Sequence, residues 1–136
     1  MRNRRPFALG FLAILALGIL PSRVRAADAK TGTQVYLDYR AALQKATKIE
    51  EILPYMSAEY RQMLASQPKK DAALWLGRLR EGTPVKDLKV TKETAEGNKC
   101  TVEGTGTSAR GNAIHGKIHL VKEGGAWKID EEAWAT

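Results

Sequence analysis

Two tyrosines and an aspartate come nearest to a catalytic arrangement in this sequence. Asp38 lies between Tyr36 and Tyr39, and a helix over this stretch would hold the three residues within about one turn. A carboxylate can act as a general base if burial raises its pKa, and the hydroxyls could face a substrate. An exposed helix carboxylate is the simpler interpretation. The three residues are therefore weak catalytic candidates, and the sequence leans toward a protein that is not an enzyme.

A wider aromatic set could line a binding cavity. Tyrosine and tryptophan combine an apolar ring with a polar tip that seeks a partner when buried, so they suit a ligand as well as a protein core. Core packing is the alternative for each of them. The residues predicted to contact a small apolar ligand are Tyr39, Tyr60, Trp75 and Trp127.

The acidic cluster and the two histidines are weaker candidates for a catalytic or metal site than Asp38 and the tyrosines. Asp130, Glu131 and Glu132 form the densest acidic cluster, but Asp130 alternates out of phase with the apolar residues before it and should face water. His115 and His119 lie four residues apart on a predicted strand, about 13 Å from each other, which is too far to bind one ion. We therefore predict no metal site and no cofactor.

Basic and glycine-rich stretches do not predict a phosphate site. Lys69, Lys70, Arg78 and Arg80 are interpreted as a solvated basic end of the helical region. The run Gly104–Gly106 lies in a strand pattern with no helix after it to receive a phosphate.

Residues 1–26 are typical of a cleaved export signal. Arg2, Arg4 and Arg5 precede an apolar run of about 14 residues, and small residues surround a predicted cleavage point between Ala26 and Ala27. The paired arginines resemble a twin-arginine signal, and an ordinary Sec signal is the alternative. The apolar run is shorter than the ~20 residues that cross a bilayer. We expect a periplasmic or secreted protein without stable membrane insertion after cleavage.

The predicted signal also accounts for most of the positive charge. The whole chain has 22 basic and 15 acidic residues, for a formal net charge of +7. Residues 1–26 hold five of the basic residues and none of the acidic ones, so residues 27–136 carry +2. Such a near-neutral chain gives no reason to expect a nucleic-acid partner. Its length suits one domain.

Apolar spacing predicts helices in the first part of this domain. A first helix over residues 32–46 would begin after Thr33 as N-cap, and Thr47 would open a short second one with a capping box. Ser57 should start a third helix. A fourth, over residues 71–80, should end at Gly82 in a left-handed conformation.

After Pro84 the spacing changes to alternation, which predicts strands. Four strands with one apolar face each are separated by short turns rich in glycine and asparagine, so neighbours should pair antiparallel. The fold class is therefore α+β, with N-terminal helices packed against a four-stranded antiparallel sheet. Cys100 shares a strand face with Val102, which favours an apolar core position over an intermolecular disulfide.

This order of elements, with the stretch Gly125–Asp130 near the C-terminus, resembles the NTF2-like superfamily, particularly its small exported members. The resemblance covers about residues 34–134. It implies a cone in which a strongly curved sheet wraps the first helix around a cavity. Gly104, Gly106 and Gly116 would permit the bending.

The resemblance leaves three functions open. The leading prediction is a non-catalytic domain that binds a small apolar ligand or a protein partner. An isomerase-like or dehydratase-like enzyme using Asp38 with Tyr36 or Tyr39 is the second. A structural module that forms a homodimer through its sheet is the third.

Overall fold

The computed structural model describes residues 29–136, so the predicted export signal, with Ala26 and Ala27, lies outside the described residues. Helices come first and strands follow. The α-helices are α1 (Gly32–Lys45), α2 (Ala58–Ala65) and α3 (Ala72–Glu81). Short 3-10 turns cover Ile49–Glu51, Leu53–Tyr55 and Lys69–Asp71. The strands are β1 (Lys86–Glu96), β2 (Lys99–Thr107), β3 (Ala113–Glu123) and β4 (Ala126–Ala135).

The four strands form one antiparallel sheet in the order β1-β2-β3-β4. Its three connections are short, and each contains a glycine with positive φ, a conformation that glycine adopts without steric cost. These glycines are Gly97, Gly111, Gly124 and Gly125. The predicted α+β class and the antiparallel meander are therefore confirmed.

One face of the sheet packs against α1. Tyr36 and Leu43 of α1 are completely buried against alternate residues of the strands, because side chains two positions apart share a face. The strand residues of this core are Cys100, Val102, Ile118, Leu120 and Ile129. Cys100 is a free, buried cysteine, as its alternation with Val102 predicts.

The ends of two helices differ from the predictions. Thr31, not Thr33, is the N-cap of α1, because its extended backbone lets its hydroxyl accept from the Gln34 N–H while the Gln34 side chain accepts from the Thr31 N–H. Gly82 has φ −76° and continues the right-handed conformation of α3. The next residue, Thr83, satisfies the helix end instead by donating its hydroxyl to the Leu79 carbonyl.

The predicted capping box at Thr47 is also wrong. Glu51 accepts from the backbone N–H groups of both Thr47 and Lys48, and a 3-10 turn forms in place of an α-helix. These two backbone hydrogen bonds lower the pKa of the Glu51 carboxyl. The carboxylate, rather than the threonine hydroxyl, organises this turn.

Arg80 does not belong to a solvated basic end. Its Nε donates to the Leu43 carbonyl at 2.9 Å, and its guanidinium also donates to the Ala46 carbonyl. These carbonyls lie at the C-terminus of α1, where the last turn has no intrahelical donors and favours a positive charge. Arg80 therefore joins α3 to the end of α1.

The connection before α2 covers part of β4. Met56 forms a parallel bridge with Ile129, and the Ser57 N–H donates to the Ile129 carbonyl at 2.8 Å. The buried Ser57 hydroxyl accepts from the Tyr60 N–H and donates to Asp130 at 2.6 Å. Ser57 thus starts α2, as predicted, and also ties it to the sheet.

We expect Ser57→Ala to lower the free energy of unfolding by about 1–2 kcal/mol, because both the helix cap and the bond to Asp130 are lost. Urea denaturation measures the change. Ser66→Ala at the other end of α2 removes only an exposed hydroxyl bonded to the Met63 carbonyl, and should cost less than about 0.5 kcal/mol. Equal losses in the two variants would contradict the structural role of Ser57.

No helix within residues 29–136 is both long and apolar enough to cross a membrane.

Candidate functional site

A cavity of about 370 Å³ lies among the helices rather than between α1 and the sheet. Residues of α2 and α3 line it, together with residues of the 3-10 turns that precede each of these helices. The apolar and small residues of the lining are Ile49, Leu53, Leu64, Ala65, Pro68, Ala72 and Trp75. Prolines lie at the start of two of the 3-10 turns: Pro54 within Leu53–Tyr55 and Pro68 just before Lys69–Asp71.

Charged and polar groups complete this helical cavity. Arg61, Lys69, Glu50 and Gln67 line it together with the apolar residues. Arg61 is half-buried, and its Nη1 donates to the Met56 carbonyl at 2.9 Å, which fixes the guanidinium in place. The cavity can therefore hold an apolar group and offer charged partners to a polar one.

Only one of the four aromatic residues predicted to bind a ligand lines this cavity. Trp75 lines the helical cavity, with the Arg78 guanidinium 5.4 Å from the centre of its ring. Tyr39 is buried against the sheet and lies 6.2 Å from the ring of Tyr55. Tyr60 and Trp127 are half-buried and pack against the core cluster. Tyr39, Tyr60 and Trp127 therefore serve the core here, and Trp75 alone faces this cavity.

Asp38 is also separated from its proposed partners. Its carboxylate pairs with Lys30 at 2.5 Å, and both side chains are largely exposed, at 42% and 63%. Tyr36 and Tyr39 lie on the buried side of α1, with at most 2% of their surface exposed. Residues three positions apart share a helix face, whereas a neighbour two positions away points elsewhere. The structure thus offers no site in which Asp38 and these hydroxyls converge.

A buried polar cluster of residues that the sequence did not connect with each other lies under α1. Three atoms, Tyr36 Oη, Glu132 Oε2 and Trp134 Nε1, are buried, and none has a hydrogen-bond partner among residues 29–136. Arg40 lies beside them and is 6% exposed; its guanidinium donates to the Thr83 hydroxyl and the Pro84 carbonyl. Such a concentration of unpaired polar atoms is unusual, because buried polar groups are normally hydrogen-bonded.

Burial raises the pKa of the Glu132 carboxyl to about 7. The Tyr36 hydroxyl, the Arg40 guanidinium and the Trp134 indole lie close enough to oppose part of this rise, although no pair of them with Glu132 reaches hydrogen-bond geometry. Burial also raises the pKa of the Tyr36 and Tyr39 hydroxyls, and the nearby Glu132 adds to that rise. Glu132 is therefore a carboxyl whose pKa is raised by burial.

A β-bulge explains why alternation did not reveal Glu132. Ile129 pairs with Leu120 and Glu131 pairs with His119, so Asp130 is an extra residue between two ladder pairs. Beyond the bulge the even-numbered residues Glu132 and Trp134 point inward, although Ile129 does so before it. The large aromatic side chain at Trp134 was the available signal that the alternation had changed phase.

Trp134 lies in a slot made by glycines. A Cβ added to Gly116 would lie 2.5 Å from Trp134 Cδ2, and one added to Gly104 would lie 3.4 Å from Trp134 Cη2. Gly106 makes room for Pro84 in a similar way. These glycines therefore admit large neighbours onto the inner face of the sheet.

The histidines and Asp130 occupy other positions. His115 and His119 are exposed on the outer face of β3, where His119 Nδ1 lies 3.2 Å from the Thr101 hydroxyl. Asp130 is half-buried as the acceptor for Ser57, so it does not simply face water as predicted. Among residues 29–136, no group of three or more histidine, cysteine or acidic residues could hold a metal ion.

Comparison with known proteins gives a limited result. No family model matches the chain, and no curated protein matches it. Among solved structures, it is similar to a SEC-C motif-containing protein from Rhodopseudomonas palustris, with 21% identity over 74% of this chain and 73% of that one and a TM-score of 0.49.

The predicted membership of the NTF2-like superfamily is contradicted by this result, because the matching structure is a SEC-C motif protein and no family model supports the NTF2-like assignment. The quoted stretch Gly125–Asp130 has a structural explanation that is not specific to any family. Gly125 has φ +80° in the turn before β4, and Trp127 and Ile129 then alternate toward the core. Helices followed by an antiparallel meander are likewise common to many α+β domains.

Proposed function

We propose that this chain is an exported, non-catalytic domain that binds a small apolar ligand in the helical cavity. The observation that carries the proposal is the cavity itself, whose volume of about 370 Å³ lies within the ~300–1,000 Å³ typical of ligand pockets. Its lining of leucine, isoleucine, alanine and tryptophan with a few polar groups is also typical of such pockets.

A non-catalytic role agrees with the positions of the acid and base candidates. Asp38 is engaged with Lys30 at the surface, and Glu132 faces a completely buried Tyr36. A catalytic acid or base must come within hydrogen-bond reach of its substrate. Neither carboxyl lines the helical cavity, so neither supports the isomerase-like or dehydratase-like alternative there.

Dimerisation through the outer face of the sheet has less support than ligand binding. The exposed residues of this face on β3 are His115, Lys117 and His119, and Lys117 already pairs with Glu103 at 3.5 Å. Stable homodimer interfaces are usually rich in apolar residues at their centre.

Export rests on residues 1–26 and remains a proposal. N-terminal sequencing of the protein recovered outside the cytoplasm would test it, with Ala27 as the expected first residue. A start far from Ala27, or retention of the whole chain, would contradict the proposed cleavage.

The ligand site can be tested by filling it. We expect decan-1-ol to raise the melting temperature of the unmodified protein, because a ligand at a hundred times its Kd stabilises the folded state by ~2.7 kcal/mol. Ala72→Trp, on the cavity wall, should abolish this shift. Ala73→Trp, on the exposed side of the same helix, should retain it.

Ala65→Trp fills the same cavity from α2. It shows whether loss of the shift in Ala72→Trp comes from the filled cavity or from a folding defect of that variant alone. Circular dichroism should show the same helix content in all three variants. A shift that persists in both filled variants, or that is missing from the unmodified protein, would rule out the helical cavity as the site.

A further inference from the structure

We propose that the ligand of the helical cavity is a carboxylate amphiphile, with its apolar chain among the leucines and its carboxylate bound by Arg61 and Lys69. This inference rests on the proposed ligand site and names the chemistry of its ligand. The assignment comes from the presence of both apolar and charged groups in the lining and from the absence, within residues 29–136, of salt bridges to the two cations.

Within the described part of the chain, the two cations of the lining form no salt bridge. Within residues 29–136 the only salt bridges are those of Lys30 with Asp38 and Lys117 with Glu103. Arg61 and Lys69 are therefore free of salt bridges there, although Glu50 lines the same cavity. Two cations against one carboxylate leave the lining with a net positive charge.

Arg61 is the better placed of the two. Its half-burial removes part of the water around its charge, so an anionic partner would be favourable there. Its bond to the Met56 carbonyl fixes one arm of the guanidinium and leaves other N–H groups of the planar fork for a ligand. That fork matches the two oxygens of a carboxylate, and an ordered side chain loses less freedom on binding.

The apolar residues of the lining explain why the ligand should also have an apolar part. Ile49, Leu53, Leu64 and Trp75 contribute hydrocarbon and aromatic surface that gains from displacing water. A small inorganic anion would leave this surface uncovered, whereas a neutral apolar molecule would leave both cations unpaired. A molecule with both parts can contact both the apolar residues and the two cations of the lining.

The test compares decanoate with decan-1-ol at pH 8 by titration calorimetry. We expect the unmodified protein to bind decanoate at least tenfold more tightly than the alcohol. Arg61→Gln and Lys69→Gln should each weaken decanoate binding several-fold more than binding of the alcohol. Lys70→Gln makes the same charge change one residue away, outside the lining, and should leave the preference intact. Glu50→Gln should increase it.

The outcomes separate the two proposals. Equal affinity for decanoate and the alcohol, with both lost in Ala72→Trp, would overturn the carboxylate assignment and leave the ligand site standing. A preference for decanoate that survives both Arg61→Gln and Lys69→Gln would overturn the assignment of the head group to these residues. Binding of neither probe would overturn both proposals.

Discussion

Gly116→Ala should lower the free energy of unfolding by about 3 kcal/mol, the largest loss that we expect from adding one methyl group to this chain. The new Cβ would lie 2.5 Å from Trp134 Cδ2 and 2.6 Å from the Ala133 carbonyl oxygen. The second contact is with the backbone of the paired strand, so a change of side-chain rotamer cannot relieve it. Urea denaturation measures the change in stability.

Gly77→Ala is the matched control. Gly77 lies inside α3, and a Cβ there would meet no atom within 4 Å. Alanine has the higher helix propensity, so this variant should be more stable than the unmodified protein by about 0.5–1 kcal/mol. If Gly116→Ala proved as stable as the unmodified protein, the close packing of the Trp134 indole on β3 would be wrong.

Glu132→Gln should stabilise the protein at pH 8 by up to about 3 kcal/mol and have little effect at pH 4. The pKa of this carboxyl is about 7 in the folded protein and near the ordinary value of 4.5 when unfolded. Between these values the folded state binds more protons, so the free energy of unfolding falls as the pH rises. Well above pH 7 the loss is complete, because both states are then ionised.

Urea denaturation of the unmodified protein and of Glu132→Gln across pH 4–9 measures this effect. Glutamine stays neutral at every pH, so the difference in stability between the two proteins isolates the titration of Glu132. Glu131→Gln removes the exposed neighbour on the other face of β4 and should change the pH dependence little. If Glu132→Gln kept the pH profile of the unmodified protein, Glu132 would not be the buried titrating group.

Periodicity was sufficient to predict the elements of the fold but not their ends. The spacing of Tyr36, Tyr39 and Leu43 and the alternation of Ile118 and Leu120 reflect direct burial of one face, which determines helix or strand locally. Helix ends depend on which nearby polar group reaches the free backbone donors. The side chains of Thr31 and Glu51 accept hydrogen bonds from these donors, whereas those of Thr33 and Thr47 do not cap a helix. The spacing of apolar residues did not distinguish between these candidates.

The buried polar cluster and the helical cavity were less predictable than the fold, because they depend on contacts between residues that are distant in the sequence. Arg40 and Arg80 look like ordinary surface cations in the sequence, yet they bond to Pro84 and Leu43, which are far from them along the chain. One additional residue, Asp130, reversed the alternation of β4 and moved Glu132 inward. Among the predicted ligand contacts, Trp75 alone lines the helical cavity, because residues of α2, α3 and the 3-10 turns form it rather than α1 and the sheet.

The bridge between Met56 and Ile129 affects how the protein behaves at high concentration. An open sheet has two edge strands, and exposed edges invite other chains to add strands and aggregate. At β4 the backbone of residues 56–57 already occupies part of that edge. At β1 the exposed residues include six charged ones: Lys86, Asp87, Lys89, Lys92, Glu93 and Glu96. The edge at β4 is therefore partly covered by the protein's own backbone, and the edge at β1 carries charged side chains. Both features disfavour the addition of a strand from another molecule.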